Sequence, residues 1–417
     1  MKRVLIISPY FPPDNAADMQ RVRMSLPYFE RLGWKAEIVC VDEQYTDLNK
    51  ENLFRITIPS NIKIHKVKAF PKNVTTKFGI GSIAIRSMWY FKLKVDLLLK
   101  QNHYDLIYFS TTQYLVCILG SYWKKKFKIP YIIDLQDPWH TEYYQNKPKT
   151  ERPKKYWFSY RLNKFLEPMA MREVSGIIAV SQGYIDEIKV RYTSLSEVKS
   201  KVIPFSAELK DFQIADEVND KVYFTDEKKI KILYAGVVGN IMVESITKML
   251  TAFKALPTEW KENVVFYFLG TSYAPKGTGV NSVLPIAKKL GVDKSVIEVT
   301  NRLSYFNTLR HLRLSDGLLI VGSDEVNYIP SKIYTYILAN KPIFSLLNSM
   351  SPGNLILTQY STVCKAYLKD SQQHINAELN NFIDTIMNNR ISCINEIRFT
   401  PEIMAKEQVE FFNSVIC

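Results

Sequence analysis

Short runs of consecutive apolar residues recur along this chain, each followed by a polar loop and then by apolar residues at helical spacing. The first run, residues 4–7, leads into the loop 8–18, and the helical pattern after it ends at Gly33. A continuous apolar run is typical of a parallel strand that helices cover on both faces. Residues 36–41 form the next run, so the chain opens with the strand–helix–strand unit of a doubly wound α/β sheet.

The same order of elements restarts in the second half. Residues 231–235 predict a strand that runs into the glycine-containing loop 236–240, and a helix at 245–256 and a strand at 264–269 follow. Further strands are predicted at 106–109, 131–134, 176–180, 316–321 and 342–346. The sequence therefore predicts two Rossmann-like, doubly wound domains, residues 1–206 and 207–400, with 207–229 as the linker and an amphipathic helix at 401–417. The 417 residues are long enough for two or three domains.

Positive charge is concentrated in the first half of the chain. The net charge is +14, from 55 basic and 41 acidic residues. Residues 52–95 contain nine basic and no acidic residues, and residues 121–172 contain twelve basic and five acidic ones. These two stretches carry more positive charge than the whole chain, so the remainder is slightly acidic. This distribution predicts an anionic partner for the first half.

The cysteines and histidines predict neither a metal site nor a redox motif. Five cysteines are scattered without any C-x-x-C spacing: Cys40, Cys117, Cys364, Cys393 and Cys417. An odd and sparse set fits a reducing compartment, so we expect a cytoplasmic protein that needs no metal. The apolar run 4–7 is too short for a signal peptide, and polar residues interrupt the run 106–123, so no transmembrane helix is predicted.

Six short motifs, in this order and spacing, resemble the retaining glycosyltransferases of family 4, which have the GT-B fold. They are IISPYFPP (6–13), DLQDPW (134–139), IAVS (178–181), VIPF (202–205), YAG (234–236) and PSKIYTY (330–336) followed by KPI (341–343). The resemblance implies two Rossmann-like domains facing a cleft, with the C-terminal helix 401–417 packing back on the first domain. It also implies transfer of a sugar from a nucleotide-diphosphate donor, without metal, to a saccharide or lipid-linked acceptor in surface polysaccharide biosynthesis.

The resemblance places the donor site in the second domain, where a leaving diphosphate needs positive charge. Pro330 and Ser331 stand where a helix would begin, and Lys332 lies in its first turn, so free N–H groups and one ammonium would suit a diphosphate. The alternative is a Ser cap with a solvated Lys. Gly236 and Gly239 would let the backbone approach the ligand closely.

This chain departs from the family at several donor-site positions. Family members carry basic residues soon after the strand that ends at YAG, whereas residues 237–244 contain none; Arg302 is the candidate substitute, or else an ordinary surface Arg. The two family glutamates fall on Asn327 and Thr335, so the usual carboxylate contact to the ribose is missing. Glu325 is the candidate for the role near the sugar.

In the first domain, Asp137 is the predicted catalytic-site acid, since a carboxylate at the end of a strand could orient the acceptor hydroxyl or take its proton. A helix-capping role is the alternative. Gln136 stands where the family often has a His; it cannot act as a base but could hydrogen-bond the donor sugar. The acceptor-binding candidates are Asp14, Asn15, Arg21 and His140.

Residues 80–99 interleave basic with apolar and aromatic side chains, as helices on anionic membrane surfaces do. The predicted membrane face consists of Arg86, Trp89, Lys92 and Lys94. An ordinary solvated face is the alternative. The function predicted is a peripheral glycosyltransferase at the inner membrane face; the competing hypotheses are a catalytically inactive scaffold of the same fold, motivated by Thr335 and Gln136, and a nucleic-acid-binding protein, motivated by charge alone.

Overall fold

The computed structural model describes residues 1–149, 152, 156–327, 329–361, 363–388 and 398–417. The chain divides into two compact units: a first unit of Met1–Ala207 with Arg398–Cys417, and a second unit of Glu208–Ile397. Of the cysteines, Cys393 lies outside the described residues, and the other four are free thiols.

The first unit is built on a parallel sheet that has seven strands among the described residues, in the order β3-β2-β1-β4-β5-β6-β7. In the register of the three central strands, Ile6 of β1 lies opposite Ile38 of β2 and Tyr108 of β4. The strands are β1 (Lys2–Ile7), β2 (Trp34–Val41), β3 (Lys63–Val67), β4 (Leu106–Ser110), β5 (Tyr131–Leu135), β6 (Gly176–Ala179) and β7 (Lys199–Val202).

Helices cover both faces of this sheet. On one face, Phe109 of β4 stacks against Trp123 in a large apolar core. On the other, Tyr108 contacts Phe412 of the C-terminal helix, which also packs on the first helix of the chain. The helices are α1 (Gln20–Phe29), α2 (Lys72–Thr75), α3 (Ile83–Gln101), α4 (Ile118–Phe127), α5 (Tyr156–Met171), α6 (Gln182–Arg191) and α15 (Pro401–Ile416).

The second unit repeats the architecture with a parallel sheet of six described strands, in the order β10-β9-β8-β11-β12-β13. Its strands are β8 (Ile230–Ala235), β9 (Val264–Leu269), β10 (Val296–Val299), β11 (Gly317–Val321), β12 (Ile343–Leu347) and β13 (Val363–Tyr367). Its helices are α7 (Leu209–Asp216), α8 (Val243–Lys254), α9 (Thr258–Asn263), α10 (Leu284–Leu290), α11 (Tyr305–Leu314), α12 (Lys332–Leu338), α13 (Gly353–Leu357) and α14 (Gln372–Met387). Both units are thus doubly wound α/β folds, as the apolar runs predicted.

The structure corrects the predicted linker at 207–229. Residues 209–216 form α7, which packs on α11, and the phenol of Tyr305 donates a hydrogen bond to Asp211 at 2.9 Å. The backbone N–H of Tyr223 donates to Nε2 of His311 at 3.0 Å. This polar, weakly periodic segment is therefore held by the second unit through hydrogen bonds rather than by a wide apolar face, which is the signal that sequence reasoning relies on.

Candidate functional sites

The second sheet reverses its strand order between β8 and β11, and ligands of doubly wound sheets bind at such a point beyond the carboxyl ends of the strands. Gly236 follows β8 directly, and α12 follows the loop that leaves β11. The hydroxyl of Tyr336 accepts a hydrogen bond from the backbone N–H of Ala235 at 2.8 Å. This bond holds α12 against the end of β8.

Lys332, the first residue of α12, is directed at the same point. Its Nζ lies 3.6 Å from the centroid of the Tyr234 ring, in cation–π contact. A Cβ at Gly236 would lie 3.0 Å from that Nζ, and Gly236 has φ +129°, where side chains are strained. The positive φ favours glycine here, and a side chain would also displace the Lys332 ammonium.

The ammonium group of Lys332 is poorly solvated and lacks a counter-charge. The side chain is half-buried, and burial lowers its pKa to about 7. Among the residues that the structure describes, no carboxylate lies within ion-pair distance of its Nζ. Desolvation disfavours an ammonium unless an anion stands beside it, so this geometry suits an anionic ligand.

The other predicted donor-site residues near Lys332 in the chain differ in their burial and hydrogen bonding. Pro330 is buried, and Ser331 is exposed and makes no capping hydrogen bond with its side chain. The hydroxyl of Thr335 donates back to the carbonyl of Lys332 at 2.9 Å. Glu325 and Asn327 are half-buried in the loop between β11 and α12. The structure thus brings α12 to Gly236, through Lys332 and Tyr336.

Gly239 and Arg302 lie elsewhere on the carboxyl edge. Gly239 has φ −90°, which any residue adopts, and precedes a short 3₁₀ helix, so its predicted close approach to a ligand is not required by the backbone. Arg302 follows β10, is exposed, and places its guanidinium carbon 5.2 Å from the ring centroid of Tyr273.

The first sheet has its own reversal point, between β1 and β4, and Asp18 lies there. Its Oδ2 accepts hydrogen bonds from the hydroxyl of Thr111 at 2.8 Å and from the backbone N–H and hydroxyl of Thr112 at 3.0 and 3.2 Å. Burial raises the pKa of this carboxyl. Asp18 therefore ties the loop after β1 to the loop after β4. The sequence analysis did not single it out, because an acidic residue before a helix is an ordinary feature.

Asp137 follows β5 and presents an exposed carboxylate at this edge. Its backbone is clamped by one phenol: Asp137 N–H donates to the Tyr114 oxygen at 2.9 Å, and that hydroxyl donates to the Asp137 carbonyl. Desolvation by the surrounding protein, with the charge of Asp18, raises the pKa of Asp137 to about 6. A carboxyl with this pKa can exchange a proton with a hydroxyl near neutral pH.

The structure corrects the predicted catalytic role of Gln136. Its amide is buried, and the Nε2 hydrogens point at the carbonyl of Asp18 at 3.1 Å, Ser110 Oγ at 3.0 Å and Asp134 Oδ2 at 3.1 Å. These contacts use the amide hydrogens that were predicted to bind the donor sugar. Gln136 is therefore a positioning residue that holds Asp18 and β5 together.

The predicted acceptor contacts of Asp14 and Arg21 are also wrong. Asp14 is inaccessible, accepts from the hydroxyl of Thr46 at 2.7 Å and pairs with Lys50. Arg21 is 1% exposed, and its guanidinium pairs with a buried carboxylate in the core. Both side chains are buried and are held by other parts of the first unit, so neither can reach a substrate.

Asn15 and His140 are likewise engaged within the first unit. Asn15 is half-buried and donates its amide hydrogen to Glu51. His140 is 4% exposed; its ring lies tilted against Tyr160 with 4.6 Å between the centroids, and its Nδ1 lies 3.8 Å from Oε2 of Glu167. Neither ring nitrogen has a hydrogen-bond partner among the described residues, and burial lowers the pKa of His140 to about 4. The imidazole is thus a neutral core group, which corrects its assignment to an acceptor.

Only part of the predicted membrane face is accessible to solvent. Arg86 is 2% exposed and donates to the carbonyls of Phe70 and Tyr45 at 2.9 and 3.0 Å, so its assignment was wrong. Trp89 is 56% exposed, and Lys94 is half-buried. Lys92 donates to Asp96 at 3.2 Å. Of the four predicted residues, only Trp89 and the two lysines therefore lie at the surface of α3.

The described part of the chain contains neither a metal-binding cluster nor a membrane-spanning helix. No group of three or more His, Cys, Asp or Glu side chains converges to hold a metal ion there. Within the same residues, no helix combines the length and apolar character that crossing a bilayer requires.

No protein-family profile matches this chain, and no curated protein matches it in sequence. Solved structures do match its fold. HepE of Anabaena in complex with UDP-glucose is 15% identical with a TM-score of 0.58, over 100% of this chain and 98% of its own. The α,α-trehalose-phosphate synthase (UDP-forming) from Burkholderia xenovorans in complex with glucose-6-phosphate is 8% identical with a TM-score of 0.63, over 99% and 100%. WaaG, a glycosyltransferase involved in lipopolysaccharide biosynthesis, is 12% identical with a TM-score of 0.55, over 99% and 95%.

These matches extend over essentially the whole of each chain. At such low identities they show the fold and nothing finer. The predicted fold class, two Rossmann-like domains of the GT-B kind, is confirmed.

Proposed function

We propose that this chain is a glycosyltransferase that takes its sugar from a nucleoside-diphosphate donor. The observation that carries the proposal is the placement of Lys332: its ammonium is held over Tyr234 beside Gly236 at the reversal point of the second sheet, with no carboxylate of the described residues within ion-pair distance. The diphosphate of the donor supplies the missing negative charge. When the sugar leaves, that charge increases, and a fixed ammonium stabilises it.

The fold neighbours support this donor class. HepE was solved with UDP-glucose, and the Burkholderia synthase carries the description UDP-forming. WaaG is described as acting in lipopolysaccharide biosynthesis, which fits an acceptor in surface polysaccharide assembly. For this chain, donor and acceptor class are inferred from the site and from these likenesses together.

In the first unit, Asp137 is the group best suited to contact the acceptor. Its carboxylate is exposed, has no hydrogen-bond partner among the described residues, and is anchored through its own backbone by Tyr114. It would accept a hydrogen bond from the attacking hydroxyl and orient it. Glu325, in the loop before α12, is the candidate group near the donor sugar. Retention of configuration is part of the proposal and is based on the motif resemblance, as is the absence of a metal requirement.

Binding of nucleoside diphosphates tests the donor site. Isothermal titration calorimetry of the full chain with UDP and GDP should show binding, and Lys332→Ala should weaken it roughly tenfold or more. Lys289→Ala, at an exposed position of α10, is the matched control and should bind as the unaltered chain does. Failure of every nucleoside diphosphate to bind, or equal affinities in the two variants, would contradict the proposal.

We also propose an anionic membrane surface as a partner of the first unit. Large apolar side chains are exposed in one stripe on α3 and in a second on α5, and basic residues such as Lys94 and Arg161 accompany them. The stripes consist of Trp89, Leu93 and Leu97 on α3, and of Trp157, Phe158, Phe165 and Met169 on α5. Apolar groups at helical spacing with interspersed cations suit insertion between anionic headgroups.

Vesicle flotation tests this surface. The chain should float with vesicles containing phosphatidylglycerol, and a Trp157→Ala/Phe165→Ala variant should remain at the bottom of the gradient. Leu355→Ala removes an equally exposed apolar side chain from the second unit and should leave flotation intact. Equal flotation of both variants would show that α5 does not contact the bilayer.

A binding subunit without catalysis is the second candidate, and Thr335 favours it. Its hydroxyl is turned back to the helix where the resemblance calls for a carboxylate on the ribose. An assay for UDP release from UDP-sugars in the presence of surface-polysaccharide acceptors distinguishes the two candidate functions. Binding of UDP-sugars without release of UDP with every acceptor supports the inactive subunit. Release of UDP supports the enzyme.

A further inference from the structure

The amine of Lys332 lies on a fixed aromatic face at the carboxyl end of β8. Its Nζ is 3.6 Å from the ring centroid of Tyr234. Tyr234 is 1% exposed, its hydroxyl donates to the carbonyl of Val237 at 3.0 Å, and Phe268 packs against it with 5.7 Å between the centroids. One side of the amine therefore meets a rigid ring in place of water, which removes part of the hydration that an ammonium needs.

No polar group of the described residues compensates for this loss of hydration. Within that part of the chain, Nζ of Lys332 makes no hydrogen bond and has no carboxylate within ion-pair distance. The half-buried lysines Lys92, Lys231 and Lys248, in contrast, each pair with a carboxylate, at 3.2, 3.1 and 2.9 Å. A desolvated and unpaired ammonium loses its proton more readily, and burial lowers the pKa of Lys332 to about 7.

An amine in this state is a nucleophile near neutral pH. An exposed Lys, with a pKa of about 10.4, has roughly one neutral amine in a thousand at pH 7.4, whereas more than about half of the Lys332 amines are neutral there. Nucleophilicity falls less steeply than basicity, as thiols show, so the gain in neutral amine outweighs the weaker basicity. Desolvation in an apolar setting is one of the ways in which proteins activate a Lys.

The space beside this amine is open to an anion. A Cβ at Gly236 would lie 3.0 Å from Nζ, and among the described residues only atoms of Lys332 come within 4 Å of that Cβ. The titratable side chains packed at this point are the phenols of Tyr234 on β8 and Tyr336 on α12, and burial raises the pKa of Tyr336. Phenols are uncharged at neutral pH, so neither repels a phosphate. A phosphate held here brings any group bonded to it within reach of Nζ.

We propose that Lys332 is an acylation site for acyl phosphates, and that acylation closes the donor site. The phosphate of such a molecule is drawn to the same point as the diphosphate of the donor, so the inference rests on the proposed function. The electrophilic carbon is joined to this phosphate through one oxygen and therefore lies beside Nζ. The ammonium form of Lys332 attracts the anion, and the neutral form reacts with it.

The reaction balances without any further reagent. Nζ attacks the carbonyl carbon of the acyl phosphate and forms a C–N bond. The C–O bond to the phosphate breaks, and inorganic phosphate leaves with the bonding pair and takes up one proton of the amine. The product is a neutral amide, which no longer attracts a diphosphate or makes a cation–π contact with Tyr234.

Acetyl phosphate is the probe for this site. The full chain is incubated with it at pH 8, and the initial acetylation rate of each lysine is measured by peptide mass spectrometry. Lys332 should react at least about tenfold faster than Lys276, Lys289 and Lys294, which are exposed lysines of the same unit. Its rate should level off above about pH 8, whereas the rates of the exposed lysines should keep rising toward pH 10. Inorganic pyrophosphate should slow the reaction of Lys332 alone.

Calorimetry with UDP measures the consequence for the donor site. The loss of UDP binding should follow the fraction of chains that are acetylated at Lys332. A Lys332→Arg chain treated in the same way is the control, because a guanidinium keeps its proton and its charge. This variant should bind UDP equally well before and after treatment with acetyl phosphate.

The outcomes separate this inference from the proposed function. If UDP binds the unaltered chain and Lys332 is acetylated no faster than Lys289, the acylation site is overturned while the donor site stands. If Lys332 is acetylated rapidly and the acetylated chain binds UDP as before, the closure of the donor site is overturned. If UDP does not bind the unaltered chain, the proposed function and the closure fail together, and the acetylation rates still confirm or overturn the reactive amine.

Discussion

Nε of Arg21 lies 2.9 Å from Oδ2 of Asp134, and neither side chain is accessible to solvent. The guanidinium also donates to the carbonyls of Ile203 and Pro204 at 2.8 and 3.2 Å, and Asp134 accepts from the hydroxyl of Tyr108 at 3.0 Å. The pair therefore joins α1, β4, β5 and the segment after β7 within the first unit. Because each charge is fully desolvated, it depends on its partner.

Removing one member of this pair should be costly. Arg21→Met leaves Asp134 buried without its counter-charge and should lower the free energy of unfolding by about 3–5 kcal/mol, measured by urea denaturation. Arg31→Met is the control, because its partner Glu402 lies at 2.6 Å but both side chains are more than half exposed. Exposed pairs contribute about 1 kcal/mol or less. Similar losses in both variants would show that burial does not govern the Arg21 pair.

A methyl group at Gly236 should disturb the Lys332 site directly. Gly236→Ala places a Cβ 3.0 Å from Nζ of Lys332 and strains a backbone with φ +129° by about 1–3 kcal/mol. We expect UDP binding to weaken roughly tenfold and the midpoint of thermal unfolding to fall. In Gly239→Ala, the nearest atom to the new Cβ is 3.9 Å away and the backbone is unstrained, so binding should persist. Equal effects of the two substitutions would argue against a close approach at Gly236.

Affinity for UDP should depend on pH through Lys332. Burial lowers the pKa of its ammonium to about 7, and only the protonated form attracts a diphosphate. Lowering the pH from 8 to 7 should therefore strengthen binding, and calorimetry in buffers of different ionisation enthalpy should show proton uptake. Lys332→Arg carries a permanent charge and should abolish both effects. A pH-independent affinity in the unaltered chain would place the anion elsewhere.

His140 should make the protein sensitive to acid. Its pKa is lowered to about 4 in the folded chain and is about 6.5 when unfolded, so the unfolded chain binds more protons between these values. The stability that the neutral ring contributes is present above pH 6.5 and is lost as the pH falls toward 4, by on the order of 2 kcal/mol. Urea titrations at pH 7 and pH 4.5 should show a smaller loss in His140→Phe. An unchanged difference would mean that His140 is solvated.

The C-terminal helix should depend on a single buried amide. Gln408 accepts a hydrogen bond from the hydroxyl of Ser25 at 2.6 Å and donates to the hydroxyl of Tyr108 at 3.1 Å. Gln408→Leu removes both buried hydrogen bonds of the amide and should cost about 1–3 kcal/mol in urea denaturation, although Ser25 keeps its bond to the Arg21 carbonyl and Tyr108 its bond to Asp134. Lys406→Leu, at an exposed position of the same helix, should change stability by less than about 0.5 kcal/mol. The reverse order would show that the amide is not part of the interface.

The central strands were predictable, whereas the edge strands β3 and β7 of the first sheet were not. Residues 4–7 and 231–235 located β1 and β8, because a strand with helices on both faces needs apolar side chains at successive positions. The strands β3 (Lys63–Val67) and β7 (Lys199–Val202) lie at the edges of their sheet, and each contains two lysines that interrupt its apolar residues. Edge strands expose one side to water, so they lack the continuous apolar run that identifies a central strand.

The donor edge was more predictable than the acceptor edge. The sequence singled out Gly236 and Lys332, which the structure places side by side, because a glycine after a strand and a Lys at a helix start are local features. Asp18 was missed, and Gln136 was misread as a substrate contact. Both are defined by partners on other strands, such as the Thr111 hydroxyl that reaches Asp18. Local patterns do not contain that information.

By itself, the sequence determined the two doubly wound domains and the position of the Gly236 turn, since apolar runs and turn residues act within a few positions along the chain. Only the tertiary structure decided which charged side chains are buried and paired. It removed Arg21 and Arg86 from the predicted binding surfaces and placed Arg302 on Tyr273. The physical reason is that the desolvation of a charge, and the partner that offsets it, depend on contacts between residues far apart in the chain.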